Sequence, residues 1–421
     1  MSLAVTATFV LADWIAKGLT DGTFERIGGV IREVGTKQVV AWLREPESNA
    51  AQLPTSTGSS PNLLNLVFSG ANLVASGANA AISGKGLADV NQRLGGIEQH
   101  LGAIESGLQG IQGVLQITTA ASILNLGVSA MGFAAIAQRI KELEQRLQKA
   151  QELLNKIDRK IDLGYYANFR AALDLAVNAF TMSKPENRRS SALQAINRFL
   201  EAEHIYTEYT DTEIEKKSQI ADEYLLTLSL AYIAEARCYL ELEEHDTALR
   251  RFQEGSAVLR SRIQKYVDLL LTSNPAAYLQ PQFKNQIELH RLTRIYQWID
   301  PALDNNAVFE MQRENLFKMA QDPHKWVDAL PSAILDRVEV SRGWFGHNHQ
   351  DLKQEADKRL PQVMEVMESM IETNRRFEAY QAEVQAIAQL GISFHDWLKL
   401  SPSEAKPESA ELMYIIPSKP L

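Results

Sequence analysis

The chain has few of the features that would define a secreted, nucleic-acid-binding or disulfide-rich protein. Its 421 residues include one cysteine, Cys238, so an internal disulfide framework is excluded. The net charge is −9 and no dense cluster of Lys and Arg occurs, which argues against nucleic acid as a partner. The apolar N-terminus lacks the basic start of a secretory signal, and Asp13 ends it early. We therefore expect a cytoplasmic protein.

The motifs of the common enzyme classes are also missing. The sequence contains no Gly-x-Ser-x-Gly, no His-Glu-x-x-His, no phosphate-binding loop and no dinucleotide-binding fingerprint. His347 and His349 have the spacing of a minimal metal site, but few other candidate ligands accompany them. Cys238 lies beside Tyr239 and Leu240 on an amphipathic stretch and is expected to be buried and inert. The sequence therefore predicts no enzyme, no metal site and no cofactor.

The most unusual feature of the sequence is a long stretch without charge. No Asp, Glu, Lys or Arg occurs between Glu105 and Arg139. Such stretches are rare on the outside of soluble proteins, because their side chains gain little from contact with water. Two arms with heptad spacing flank it, Leu87 to Leu115 and Ile136 to Asp162, and this spacing predicts helices with a narrow apolar seam that requires a partner helix. The seam includes Leu94, Ile97, Leu101, Ile104, Leu108, Ile111, Ile140, Leu143, Leu147 and Leu154.

The centre of the uncharged stretch, Ile117 to Ala137, is predicted to form an apolar head between the arms. A length of about 20 residues suits either the tip of a helical hairpin or one bilayer crossing. Several Thr, Ser, Asn and Gly residues make the head only moderately hydrophobic, which suits conditional insertion better than a permanent anchor. The residues expected to contact lipid are Ile123, Leu124, Leu126, Val128, Met131 and Phe133.

Two heptad arms around an apolar head resemble the α-helical pore-forming toxins of the cytolysin A type. The resemblance is architectural, covers Asn62 to Asp162 and involves no shared motif. It implies a coiled-coil stalk whose apolar head stays hidden until it meets a membrane. It also implies that several copies of the chain assemble into a pore.

The first 45 residues are predicted to form a small β unit. A short helix around Ala12 to Leu19 precedes two β-branched runs, Arg26 to Arg32 and Gln38 to Leu43, which we interpret as a hairpin. Because a lone hairpin is marginal in water, we predict that the β-prone run Leu412 to Ile416 pairs with it. Residues 46–61 are rich in Pro, Ser, Asn, Thr and Gly and are predicted to be a linker.

Residues 164–400 are predicted to form a helical domain, and 401–421 a tail. The domain contains two predicted helical pairs, of which the second resembles a tetratricopeptide repeat over about 40 residues. Small residues lie where its helices would cross, its turn is acidic, and Ala248-Leu249 opens its second helix. This resemblance implies an α-solenoid-like packing surface. A stripe with Met364, Met367 and Met370 is interpreted as core filling. The pairs are Tyr165 to Phe180 with Arg189 to Tyr206, and Tyr224 to Leu242 with Thr247 to Tyr266.

The predicted fold is mainly α, with a small N-terminal β-hairpin unit, a coiled-coil-like helical stalk with an apolar head (62–163) and a C-terminal helical repeat-like domain. Two functions fit this organisation. The first is a membrane-active protein, a toxin or defensive effector, that inserts the apolar segment into lipid on activation. The alternative is a soluble scaffold in which the segment lies inside a bundle or a homo-oligomeric coiled coil, while the helical domain binds another protein.

Overall fold

A computed structural model shows a mainly helical protein with a small antiparallel sheet at its N-terminus, as the sequence predicts. The linker 46–61 and the seam residues from Leu94 to Ile111 lie outside the part of the chain that the structure describes. The described residues are 4–11, 13–44, 114–120, 133–154, 163–283, 286–321, 325–335, 342–343, 346–347, 349–398 and 413–415.

The helices and strands are numbered here in chain order within the described residues. The helices are α1 (Asp13–Thr20), α2 (Phe133–Leu154), α3 (Gly164–Thr181), α4 (Pro185–Glu215), α5 (Ala221–Glu241), α6 (His245–Leu271), α7 (Leu289–Ile299), α8 (Asn305–Gln321), α9 (Lys325–Asp328), α10 (His349–Leu390) and α11 (Phe394–Leu398). Two short 3₁₀ helices follow α6, at Pro275–Leu279 and Pro281–Phe283. The strands are β1 (Ala4–Val10), β2 (Phe24–Ile27), β3 (Val30–Glu33), β4 (Val39–Arg44), β5 (Val114–Ala120), β6 (Arg342–Gly343), β7 (Gly346–His347) and β8 (Met413–Ile415).

The N-terminal sheet has the spatial order β2-β3-β4-β8, with every neighbouring pair antiparallel. The predicted helix before it is confirmed as α1. The prediction of one strand over Arg26 to Arg32 was wrong, because the chain turns at Gly28 and Gly29 so that Ile27 pairs with Val30. Two-residue hairpin loops require a positive φ, which glycine adopts without strain, and Gly28 has a φ of 53°.

Gly28 also brings this turn directly onto helix α10. A Cβ atom at Gly28 would lie 2.8 Å from the carbonyl oxygen of Arg375 and 2.8 Å from the Cα of Arg376. These are backbone atoms of a long helix, and they could move aside only if the helix were distorted. The absence of a side chain at Gly28 therefore sets how closely the sheet approaches the helical domain.

The C-terminal run pairs with the N-terminal sheet, which confirms the prediction for Leu412 to Ile416. β8 lies antiparallel to β4, with Tyr414 opposite Leu43. On the same sheet, Trp42 contacts Trp397 of α11 edge to face, with ring centroids 5.4 Å apart. The two ends of the chain therefore meet in one sheet, and that sheet shares a hydrophobic core with the helical domain.

Removing Ser409 to Leu421 should loosen the N-terminal sheet. Without β8, strand β4 becomes an edge with unpaired N–H and C=O groups. Limited proteolysis should then cut the predicted linker 46–61 several-fold faster than in the full chain. Removal of Pro417 to Leu421 alone spares β8 and is the control, for which no change is expected. Equal cleavage of the two truncated proteins would contradict this role of β8.

Consecutive helices of the helical domain pack on one another, α3 on α4, α4 on α5 and α5 on α6. Both predicted helical pairs are confirmed, although α4 continues to Glu215, beyond its predicted end. Pro185 opens α4 in the first turn, where the missing N–H of proline breaks no helical hydrogen bond. Short turns between the helices keep sequence neighbours adjacent in space.

Helix α10 is the longest described element, with 42 residues, and contacts both other helices and strands. It packs along α6, and the core-filling role of its Met364, Met367 and Met370 is confirmed by their complete burial. Strands β1, β2 and β5 also lie against α10. A Cβ at Gly255 of α6 would come within 2.9 Å of the Phe377 and Tyr232 rings, so this glycine permits the close approach of α5, α6 and α10.

Candidate functional site

The uncharged segment passes through a strand that its heptad pattern does not predict. β5 pairs with β1 antiparallel, from Val10 opposite Val114 to Ala4 opposite Ala120, and neither strand contains a charged residue. The predicted helix was therefore wrong for Val114 to Ala120. The Val, Ile and Thr residues of β5 favour a strand once a partner strand is available, and that partner comes from the far N-terminus.

The C-terminal end of the uncharged segment enters the helical core. Helix α2 begins at Phe133, whose buried ring stacks on Phe180 of α3 with centroids 5.6 Å apart. Phe133 is one of the six expected lipid contacts, and in this structure it contacts protein. The other five lie outside the described residues, so that lipid contact stays a prediction for all of them: Ile123, Leu124, Leu126, Val128 and Met131.

The seam of the second arm lies inside the protein. Ile140, Leu143 and Leu147 are completely buried, α2 packs on α3 and α5, and Leu154 is the last residue of α2. The sequence suggested the first arm or another copy of the chain as the partner, whereas the described partners are helices of the helical domain. These helices share a core with α2 across the predicted boundary at 163. Heptad spacing identified the buried side of α2 but not what covers it.

One ion pair joins the N-terminal sheet to α10. Arg26 of β2 donates to both carboxylate oxygens of Glu372, at 2.9 and 2.7 Å, and also to the carbonyl of Gly28 at 2.8 Å. Burial raises the pKa of the Glu372 carboxyl, but the charges of Arg26 and Arg376 outweigh burial and hold that pKa below its ordinary value. Sequence analysis did not find this pair, because its members lie 346 positions apart.

A second buried cluster of charge lies where α4, α5 and α6 meet. Arg251 donates to Glu203 and to Glu235 at 2.5 Å each, and both carboxyl side chains are buried. Burial, reinforced by the charge of Glu235, raises the pKa of Glu203 to about 10, and burial raises the pKa of Glu235 as well. One guanidinium thus holds three consecutive helices together from within the core.

Cys238 and Trp397 both lie in the hydrophobic core of the helical domain. Cys238 is buried, as predicted, and burial raises the pKa of its thiol well above the ordinary value. Trp397 of α11 is buried and donates from its indole N–H to Glu383 at 2.8 Å, which anchors that helix end. Within the described ranges, no group of His, Cys, Asp and Glu is placed to hold a metal ion. None of the helices described is both long and apolar enough to cross a bilayer.

The described residues thus define a helical domain whose longest helix carries two small sheets, one of which includes part of the uncharged segment. No protein family, no curated protein sequence and no solved structure matches the chain.

Proposed function

We propose that the protein is membrane-active and inserts its uncharged segment into a bilayer, as one copy of an oligomeric pore. The observation that supports this proposal is the attachment of the segment on both sides of residues 121–132. On one side β5 pairs with the uncharged strand β1, and on the other Phe133 stacks on Phe180. Residues 121–132 between these attachments carry no charge. The protein is made in the cytoplasm in this proposal and meets a membrane on activation.

The length of the segment implies that β5 leaves β1 during insertion. Residues 121–132 would span about 18 Å as a helix at 1.5 Å per residue, which is less than the ~30 Å of a bilayer core. Residues 117–137 would span about 32 Å, which is sufficient, and this span also requires the first turn of α2, with Phe133 and Ile136, to leave the core. The pairing of two strands alone contributes little stability in water, but β1 and β5 also lie against α10, so insertion would have to give up that contact as well. Insertion and β1–β5 pairing therefore compete for the same residues.

Vesicle leakage tests this proposal. The purified chain should sediment with liposomes and release an entrapped dye. Replacing residues 121–132 by a Gly-Ser linker of equal length should abolish release, because β5 and α2 are retained while the apolar centre is lost. The control replaces residues 48–59 of the predicted linker by the same Gly-Ser sequence and should release dye like the parent. Release by the 121–132 variant at the parent rate would contradict the proposal.

A soluble scaffold is the second candidate function, favoured by the way in which helices α3 to α6 each pack on the next. Stacked helical pairs of this kind present extended surfaces to protein partners. This function predicts no sedimentation with liposomes and no dye release by the parent chain. It also predicts that the 121–132 replacement lowers the melting temperature, because the apolar segment would then belong to a packed core.

A further inference from the structure

A cavity of about 310 Å³ lies between the N-terminal sheet and the helical domain. Its volume is at the lower end of the range of small-molecule sites, about 300–1,000 Å³. No sequence motif points to it, since its charged residues come from β2, α6, α7 and α10. They are Glu25, Arg26, Arg260, Arg294, Arg375 and Glu378.

Two of these charged side chains are already neutralised by partners of opposite charge. Arg26 forms its two hydrogen bonds with Glu372. Glu25 pairs with Arg32 at 2.7 Å and with Lys37 at 2.8 Å. Neither residue therefore contributes much net charge to the cavity.

The remaining side chains leave an excess of positive charge. Arg260 donates to the carbonyl of Trp298 at 3.0 Å and lies 4.7 Å from the centre of its ring, so it is held in place but not neutralised. Arg294 and Arg375 make no hydrogen bond and no ion pair with any residue that the structure describes. Three guanidinium groups thus face one carboxylate, that of Glu378, which leaves an excess of two positive charges.

The surroundings of Arg294 and Arg375 disfavour the positive charge of their guanidinium groups. Burial lowers the pKa of Arg375; the positive charge of Arg26 lowers it further, and the negative charge of Glu372 opposes this. Partial burial also lowers the pKa of Arg294, although this residue keeps contact with water. Both groups nevertheless stay charged at neutral pH, because the guanidinium of arginine is not deprotonated in proteins. A bound anion would offset the cost of holding Arg375 away from water and the repulsion between Arg375 and Arg294.

We propose that the cavity binds a small ligand that carries a phosphate monoester. A phosphate monoester has a charge of about −1.5 to −2 at neutral pH, which matches the excess of two positive charges. The planar guanidinium group also offers paired N–H donors that fit two phosphate oxygens at once. The ligand would contact the sheet and three helices together. Its binding would therefore stabilise the attachment of the N-terminal sheet to the helical domain.

Calorimetric titration of the full chain with glycerol 3-phosphate, at constant ionic strength, tests the proposal. Arg294→Gln and Arg375→Gln should each weaken binding at least about tenfold, which corresponds to about 1.4 kcal/mol. Arg313→Gln is the matched control, since Arg313 is an exposed arginine of α8 that pairs with Glu310 away from the cavity. The affinity of Arg313→Gln for glycerol 3-phosphate should equal that of the parent. Arg294 is exposed, so its replacement should leave the fold intact, and the melting temperature without ligand checks this.

Vesicles distinguish a soluble phosphate ester from a lipid headgroup. Flotation of the 121–132 replacement with phosphatidic acid vesicles but not with phosphatidylcholine vesicles, lost when Arg294→Gln is added to it, would assign the phosphate to a lipid. Binding of glycerol 3-phosphate without such flotation would assign the phosphate to a soluble ligand. Absence of binding to both probes, or equal binding by the parent, Arg294→Gln and Arg375→Gln, would overturn the proposal. The 121–132 replacement keeps every cavity residue, so phosphate binding and membrane leakage succeed or fail separately.

Discussion

Leu126→Asp should reduce dye release from vesicles by about two orders of magnitude while the protein stays folded. Leu126 lies near the middle of the uncharged segment, outside the described residues. A carboxylate at the bilayer centre costs about 2.5–3.5 kcal/mol on insertion scales, and each 1.4 kcal/mol changes an equilibrium tenfold. An oligomeric pore would incur this cost in every copy. Dye release measures the loss of activity, and a thermal melt of the same preparation shows whether the protein stays folded.

Leu193→Asp provides the control for the same chemical change elsewhere. Leu193 of α4 is 43% exposed, so a carboxylate there stays in water and should leave both leakage and melting unchanged. The two candidate functions separate in this experiment. If the parent chain releases no dye and Leu126→Asp loses its cooperative thermal transition, the segment is part of a packed core and the scaffold function is favoured.

Glu372→Ala should lower the free energy of unfolding by about 3–5 kcal/mol, the usual cost of removing one partner of a buried ion pair. The side chains of Arg26 and Glu372 are only 13% and 3% exposed, so Arg26 would keep its charge with little access to water. The carbonyl of Gly28 would remain as its hydrogen-bond acceptor. Urea unfolding at neutral pH measures the loss, and hydrogen exchange in the N-terminal sheet should rise with it.

The pH dependence of this loss follows from the lowered pKa of Glu372. Because the folded pKa lies below the ordinary 4.5, the contribution of Glu372 is fully present above that pH and disappears as the pH falls through the folded value. The difference between Glu372→Ala and the parent should therefore shrink in acid. Glu201→Ala is the control, since Glu201 and Arg198 are 52% and 65% exposed and such pairs contribute less than about 1 kcal/mol. Equal stability of the parent and Glu372→Ala at neutral pH would contradict the prediction.

Most of the confirmed predictions rest on local signals. Helix α1, the two helical pairs and the methionine stripe of α10 follow from residues a few turns apart, because helical periodicity alone shows which side of a segment is apolar. The pairing of β8 was predicted differently, from the need of a marginal hairpin for another strand. The prediction of one strand over Arg26 to Arg32 failed because the β-branched residues on the two sides of Gly28 have the composition of one continuous strand.

The sequence by itself determined the mainly helical fold, the apolar sides of the helices and the existence of an uncharged segment. Apart from the pairing of β8, only the tertiary structure decided which surfaces meet. β5 is a strand because β1 pairs with it, and the seam of α2 is covered by α3 and α5. Likewise, Arg260, Arg294 and Arg375 face one cavity only after three helices and the N-terminal sheet have packed together. The physical reason is that the spacing of apolar residues reports the conformation and burial of neighbouring residues. The choice of partner, in contrast, depends on contacts between residues far apart in the chain.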